Sequence, residues 1–258
     1  MLPVCGRRKL RPGVAECPDE GTAMADDAHQ RTGNLLLDAL PPELRDALLE
    51  VARQRPIEVG GTWRHAGDEI ESVIFPTLGT MSIIAETGGH EIEAATVGRE
   101  GAIDVFAAVA MRVVPLKVIG QVSGEVFEVP LERFLKIYDE EPFKRLMQGY
   151  VEALFVQSSL NAACLGVHHL NERCARWLLQ THDRVDSDTF ELKQEFLAMM
   201  LGVHRPSVSL AEGTLQASGF ITYRRGRITV VDREGLEEAA CTCYEEIRSA
   251  YSRLVPLR

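Results

Sequence analysis

An arginine guanidinium presents its N–H donors in a planar fork that matches two phosphate oxygens or the O6 and N7 edge of guanine. Four such groups stand close together in this 258-residue chain: Arg205, in Gly202-Val-His-Arg-Pro-Ser-Val-Ser-Leu, and Arg224, Arg225 and Arg227, around the glycine of Tyr223-Arg-Arg-Gly-Arg-Ile. Residues 192–231 hold five basic side chains (these four and Lys193) against Glu195 and Glu212, a local +3 within a chain of net charge −10. The acidic total excludes a protein that coats nucleic acid over its whole surface. Affinity for a local site depends instead on the charge that faces the phosphates. A duplex-binding module fits this pattern, and a module of the same shape that contacts protein is the alternative.

The elements that would position these groups follow from spacing. Residues 193–201 read as a helix with Leu197 and Met200 inward. Gly202 supplies a tight turn, Val203 plugs the corner, and Arg205-Pro206-Ser207 opens a second helix where proline costs no hydrogen bond. Val208, Ala211 and Leu215 face inward on that helix, leaving Arg205, Ser207, Ser209 and Leu210 outward near its N-terminus, where a recognition helix meets base edges. Residues 222–231 read as a hairpin with a basic tip. Together these make a winged helix-turn-helix.

Upstream, residues 1–33 lack periodicity and are expected to be a disordered leader, with Met24 an alternative start. From Asn34, leucines recur at helical spacing, with Pro41 and Pro42 opening a second helix. Residues 55–129 break into short β-rich runs between glycines. The candidate strands are 72–75, 79–85, 91–96, 113–121 and 125–129, an antiparallel roll of jelly-roll type. A short helix at 131–138 then precedes a long one from Glu141-Pro142 to about His168. Met147, Val151, Leu154, Ser158, Asn161 and Leu165 step by four and three along it. This stripe could pair with a second subunit, Asn161 setting the register; a helix packed on its own barrel alone is the other reading. A further helix from Leu170 and a charged turn at 183–188 lead into the C-terminal module. The expected fold is α+β: a β-roll sensor domain (34–140), a dimerisation helix (141–169) and a DNA-binding domain (170–258).

Other chemistry finds less support. Six cysteines are spread through the chain. Cys5 and Cys17 lack the clustered spacing of an iron–sulfur site. Cys241 and Cys243 are expected on one helix, pointing to different sides, and His168 and His169 are adjacent, a poor geometry for one metal. No metal site and no cofactor is expected. With no nucleophile–base pair and no phosphate loop in view, an enzyme is not expected either. Apolar runs fall far short of a membrane span and no secretory signal is visible, so a cytoplasmic location without membrane contact is expected.

The run from Leu192-Lys-Gln-Glu-Phe-Leu-Ala-Met-Met-Leu-Gly to Val203-His-Arg-Pro-Ser-Val-Ser, with Gly219-Phe-Ile and Arg225-Gly-Arg-Ile, resembles the C-terminal domain of the Crp/Fnr family of bacterial transcription regulators. Glu172-Arg-Cys-Ala-Arg-Trp-Leu-Leu is similar to the helix that follows that family's dimer helix. Residues 56–129 fit its cyclic-nucleotide-binding-like roll. The resemblance implies a homodimer on a pseudo-palindromic operator with half-sites about one helical turn apart, and RNA polymerase as a further partner. It places Arg205 on a guanine, and Ser207, His204 and Gln194 near phosphates. Pro206 and Leu210 stand where cyclic-AMP-binding members often carry Glu and Arg, so base preference should differ, with Leu210 suited to a thymine methyl. In the roll's effector cassette, Gly101 aligns but Ala102 replaces the ribose-binding acid. Val114-Pro115 replaces the phosphate-binding arginine, with Arg112 and Lys117 out of register. A phosphate buried without a cation is strongly disfavoured, so response to cyclic nucleotides is expected to be lost and the effector ligand is unknown. The alternative function is a cyclic-nucleotide sensor whose C-terminal domain contacts protein rather than DNA.

Overall fold

The computed structural model describes residues 31–109 and 112–255. Most of the expected leader, with Cys5, Cys17 and Met24, and Met111 of the cassette lie outside the described residues. Thr32, counted with that leader, belongs to the fold instead. Its N–H and hydroxyl both donate to the Asp38 carboxylate at 2.8 Å. Asn34 then caps α1 (Leu35–Asp38) by accepting from the Leu36 and Leu37 amides. It also donates to the Pro76 and Gly101 carbonyls at 2.8 and 2.9 Å, so a fully buried amide is satisfied on both ends. Pro42 opens α2 (Pro42–Leu49).

Five strands form an antiparallel roll: β1 (Arg53–Ile57), β2 (Thr62–Arg64), β3 (Ser72–Thr87), β4 (His90–Val97) and β5 (Lys117–Pro130). Their order is β1-β5-β3-β4, with β2 also paired to β5. Segments 72–75 and 79–85, expected as separate strands, are one, and 125–129 is likewise continuous with the strand before it. The glycines between them permit a close bend rather than a turn. A Cβ on Gly124 would lie 2.0 Å from the Leu78 carbonyl oxygen, and one on Gly79 2.6 Å from that of Ser123. Residues 113–116 stay outside the strand, Val113 making an isolated bridge to Glu69.

Helices α3 (Leu131–Tyr138), α4 (Glu141–Val167) and α5 (Leu170–His182) follow, and His168 and His169 form the break between the last two. The stripe expected as a free subunit seam is largely spent inside the chain. Met147 and Leu154 are buried in the roll's core. Asn161 donates to the Ala94 carbonyl at 3.0 Å and accepts from Arg176 at 2.7 Å. Val151 and Ser158 border a cavity beneath the roll, and only Leu165 of the six is exposed. The barrel draws the larger apolar side chains of α4 towards itself, as burial of apolar area favours.

The C-terminal third comprises β6 (Thr189–Glu191), α6 (Gln194–Leu201), α7 (Arg205–Ala217), β7 (Ile221–Arg224), β8 (Arg227–Val230), α8 (Arg233–Ala239) and α9 (Cys243–Ser252). Two expectations fail here. Helix α9 does not stay wholly with the DNA-binding module: its Tyr244 packs in that module's core, but Ile247 and Tyr251, with Val255 beyond the helix, are buried in the roll's core, and the Tyr251 hydroxyl donates to Gln157 of α4 at 2.6 Å. Nor do Cys241 and Cys243 share a helix. Cys241 lies in the connection between α8 and α9, so its thiol does not diverge from that of Cys243, and both are buried in one cluster with Cys164. Conversely, Ile84, Ile119 and Val122 of the roll belong to the apolar core of the C-terminal module. No helix among the described residues is long and apolar enough to cross a membrane.

Candidate nucleic-acid interface

Helices α6 and α7 meet at Gly202, whose φ of +63° closes α6 in the left-handed conformation that glycine adopts at little cost. Leu197, Met200, Val208, Ala211 and Leu215 fill the space beneath them. That packing leaves Arg205, Pro206, Ser209, Leu210, Gly213 and Thr214 on the exposed side of α7. Leu210 is 75% exposed, a large apolar side chain on the outward face. Thr214, four residues on from Leu210, extends the same face and was legible from that spacing alone.

The phosphate contacts that the resemblance implies fare unevenly. Gln194 braces the two helices rather than standing free. Its Nε2 donates to Glu212 at 2.6 Å, and its Oε1 accepts from the Ser209 hydroxyl at 3.1 Å. Burial raises the Glu212 carboxyl above its ordinary range, the Gln194 hydrogen bond opposing it. His204 and Ser207 border a cleft of about 660 Å³ that is also lined by Gly89 of the β3–β4 turn and by His90, Glu91 and Ile92 at the start of β4. The guanidinium of Arg205 reaches Glu195 at 3.1 Å, both side chains more than half exposed.

The wing is three-stranded, in the order β6-β8-β7. β6 was missed because three residues after a charged turn carry too little pattern to read. Arg225 and Gly226 form the two-residue turn between β7 and β8 at φ +52° and +77°, the positive pair that a type I′ hairpin needs. Arginine in that conformation is strained. Arg224 and Arg227 sit directly opposite in the ladder, a like-charge pair that destabilises a hairpin. Arg227 is balanced by Glu191 at 3.1 Å across to β6. The tip thus gathers three cations against the interest of its own fold.

The residues aligned with the effector cassette pack within the chain. Gly101 and Ala102 lie against α4, where the Tyr150 hydroxyl donates to the Ala102 carbonyl at 2.7 Å. A Cβ on Gly101 would lie 2.7 Å from that hydroxyl. Val114 is buried in a small apolar cluster with Ile70 and Ala107. Pro115 lines a cavity of about 480 Å³ between the roll and α4, together with Ile83, Phe106, Leu116, Val151 and Phe155. Its charged lining residues are the carboxylates Asp104 and Glu152. Neither cation that stood close in sequence lines it: Arg112 donates to the Ala107 carbonyl and Lys117 to Glu91 at 2.6 Å. The preceding residues instead clasp the C-terminal module. Glu100 accepts from the Arg184 Nε at 2.8 Å with both side chains buried, and Arg99 pairs with Asp186 at 2.5 Å. Gly98 leaves room for the Arg184 stem, which a Cβ would approach to 2.7 Å.

Residues 172–239, from α5 through the wing to α8, match the profile of the Crp-like helix-turn-helix domain. No curated protein matches the sequence. Among solved structures, the chain is similar to a transcriptional regulator assigned to the crp/fnr family from Eubacterium rectale, at 18% identity and a TM-score of 0.61 over 81% of this chain and 99% of the other. A transcriptional regulator of the CRP family from Thermus thermophilus aligns at 19% identity and 0.61 over 72% and 96%. FixK2 from Bradyrhizobium japonicum aligns at 16% and 0.60 over 74% and 98%. Likeness at these identities establishes the fold. The chain therefore carries a Crp-like helix-turn-helix domain at residues 172–239 within the fold of Crp/Fnr-family transcription regulators.

Proposed function

We infer that this chain is a sequence-specific DNA-binding regulator that acts as a homodimer on a pseudo-palindromic operator and does not respond to cyclic nucleotides. The observation that carries the reading is the wing tip. Arg225 in a strained turn, and Arg224 opposite Arg227, weaken the hairpin; Glu191 offsets the charge of Arg227 alone, whereas a phosphate backbone would offset all three. Arg205 and the exposed Leu210 stand at the N-terminal half of α7, where base edges would lie. Pro206 beside them offers no side-chain donor, so base reading rests on Arg205, Ser209 and Leu210.

Homodimerisation is supported by the outer face of α4. Gln148, Glu152, Phe155, Ser159, Ala162 and Gly166 are all exposed and step by four, three, four, three and four. That is the heptad spacing of a paired helix, with small residues towards its end that allow close approach. Phe155 is 72% exposed, a large ring on a helix otherwise well packed. Loss of cyclic-nucleotide response is supported by the acidic and apolar lining of the cavity, which offers a phosphate no counter-charge. RNA polymerase is the partner through which bound operator would alter transcription.

Genome-wide DNA selection with the purified protein gives the operator. Titration of that operator at several salt concentrations is expected to show a steep fall in affinity with salt. Arg205→Ala should lose roughly 30-fold or more, since a dimer forfeits two bidentate base contacts of about 1–3 kcal/mol each. Salt-insensitive or absent binding sinks the reading. Calorimetry with cyclic AMP and cyclic GMP is expected to show no binding heat, and micromolar binding would overturn that part alone.

A further inference from the structure

Four metal-ligating groups from two distant parts of the chain meet at one point. Cys164 and His168 stand one helical turn apart at the C-terminal end of α4, a spacing that puts both on one face. Cys241 and Cys243 come from the connection between α8 and α9 and from the first residue of α9. The Cys164 and Cys241 Sγ atoms are 3.5 Å apart, and the Cys243 Sγ is 3.6 Å from the His168 Nδ1. All four donor atoms lie within 4.8 Å of one another, the three thiols buried and the imidazole half-buried.

The two shortest of these separations match the edges of a tetrahedron around zinc, and the widest exceeds them by about 1 Å. Zn–S bonds of about 2.3 Å and Zn–N bonds of about 2.0–2.1 Å put neighbouring donors about 3.5–3.8 Å apart. Apolar packing accounts for buried cysteines singly but not for an imidazole nitrogen turned in among three of them. The surrounding charge agrees. Three thiolates on a divalent ion leave a net −1, which burial makes costly unless a cation is near. Arg176 is buried beside the cluster and Arg173 is also buried, its charge likewise interacting with the thiols.

We propose that Cys164, His168, Cys241 and Cys243 form a structural zinc site. Thiolate and imidazole donors select zinc over magnesium or calcium, and four protein ligands close the coordination shell, as in structural rather than catalytic sites. Binding forms three Zn–S bonds and one Zn–N bond and releases the thiol protons to solvent, with no change of oxidation state. The ion ties the end of α4 to the root of α9 directly at the His168–His169 break that leads into the helix-turn-helix domain. This site is independent of the DNA that the protein reads.

The test uses the full chain, reduced and stripped of metal with a chelator, then titrated with Co(II) alone. One Co(II) per chain is expected, with the intense visible bands of tetrahedral cobalt and thiolate-to-cobalt charge transfer in the near-ultraviolet, both abolished by Zn(II). Cys241→Ser and Cys243→Ser should each weaken binding by more than the roughly 100-fold that removal of an outer partner costs. His168→Ala should change the cobalt spectrum through loss of the nitrogen ligand. Cys174→Ala, and the paired Cys5→Ser and Cys17→Ser changes, should leave it as in the wild type. Weak octahedral bands from the wild-type chain overturn the proposal whether or not the variants fold. So does tetrahedral binding that survives both Cys241→Ser and Cys243→Ser. A Cys164–Cys241 disulfide as the only chemistry found, with no metal taken up by the reduced chain, also overturns it.

Discussion

Arg205 is held by an acidic neighbour on the face that would meet DNA. Its bond to Glu195 at 3.1 Å is exposed on both sides, and pairs of that kind contribute little to stability. Exchange of the carboxylate for a guanine edge therefore costs little, but Glu195 also sets a negative charge beside the phosphates. Glu195→Gln is expected to tighten operator binding severalfold by fluorescence anisotropy at fixed salt, with the fold unchanged. Unchanged or weaker binding would remove Glu195 as a competitor. Gln194 illustrates what residue type cannot reveal. The resemblance places this amide near a phosphate but does not disclose its bond to Glu212, eighteen positions away on the buried face of α7.

At the scale of elements, the hairpin β7–β8 trades stability for charge. Asparagine tolerates the left-handed conformation at Arg225 better than arginine does, a difference within the roughly 1–2 kcal/mol that this conformation costs other residues. Arg225→Asn is expected to raise the melting temperature while weakening operator binding and reducing its salt slope by about two units, one for each wing of the dimer. A lower melting temperature, or the same salt slope, would refute the trade. This hairpin was legible because an Arg-Gly turn between alternating residues has one reading, and the helix pair before it was legible because Gly202 and Pro206 punctuate it. Both signals are local. The continuity of β3 and β5 was not legible, since Gly79 and Gly124 read as turns until the facing strand explains why a side chain is excluded there. That much of the α4 stripe packs within the chain was not legible for a similar reason. Its period marks a helix with apolar residues but does not say whether the barrel or a second subunit takes them. Phe155, one residue beyond Leu154, marks the outward side. Phe155→Glu is expected to dissociate the dimer in sedimentation equilibrium and to lower operator affinity by about 100-fold or more as the two half-sites lose their linkage. A dimer unchanged by it would move the subunit contact elsewhere.

The whole molecule is joined by contacts that no single segment predicts. Trp177 of α5 donates to Glu93 of β4 at 2.7 Å, and Gln121 of β5 to the Thr181 hydroxyl at 2.8 Å. The buried pair Glu100–Arg184 closes the same joint. Glu100→Gln leaves the Arg184 charge in a dry site, a change that costs about 3–5 kcal/mol where a buried partner is lost. Chemical denaturation should show that loss, and near wild-type stability would mean that Arg184 finds water or another acceptor. The four-donor cluster lies at the same joint and escaped notice for the same reason: its two halves are about seventy-five residues apart, and neither has a metal spacing of its own.

The core that the roll shares with the C-terminal module would set a threshold for any signal passed between them. Ile84, Ile119 and Val122 would be bared to water if that module swung away, at about 25 cal/mol for each Å² of apolar surface exposed. Any effector that reorients the recognition helices must therefore prefer the displaced state by more than this penalty, since a ligand shifts an equilibrium only by its difference in affinity. Such a molecule stays in one state under weak stimuli and changes over only when the preference is large.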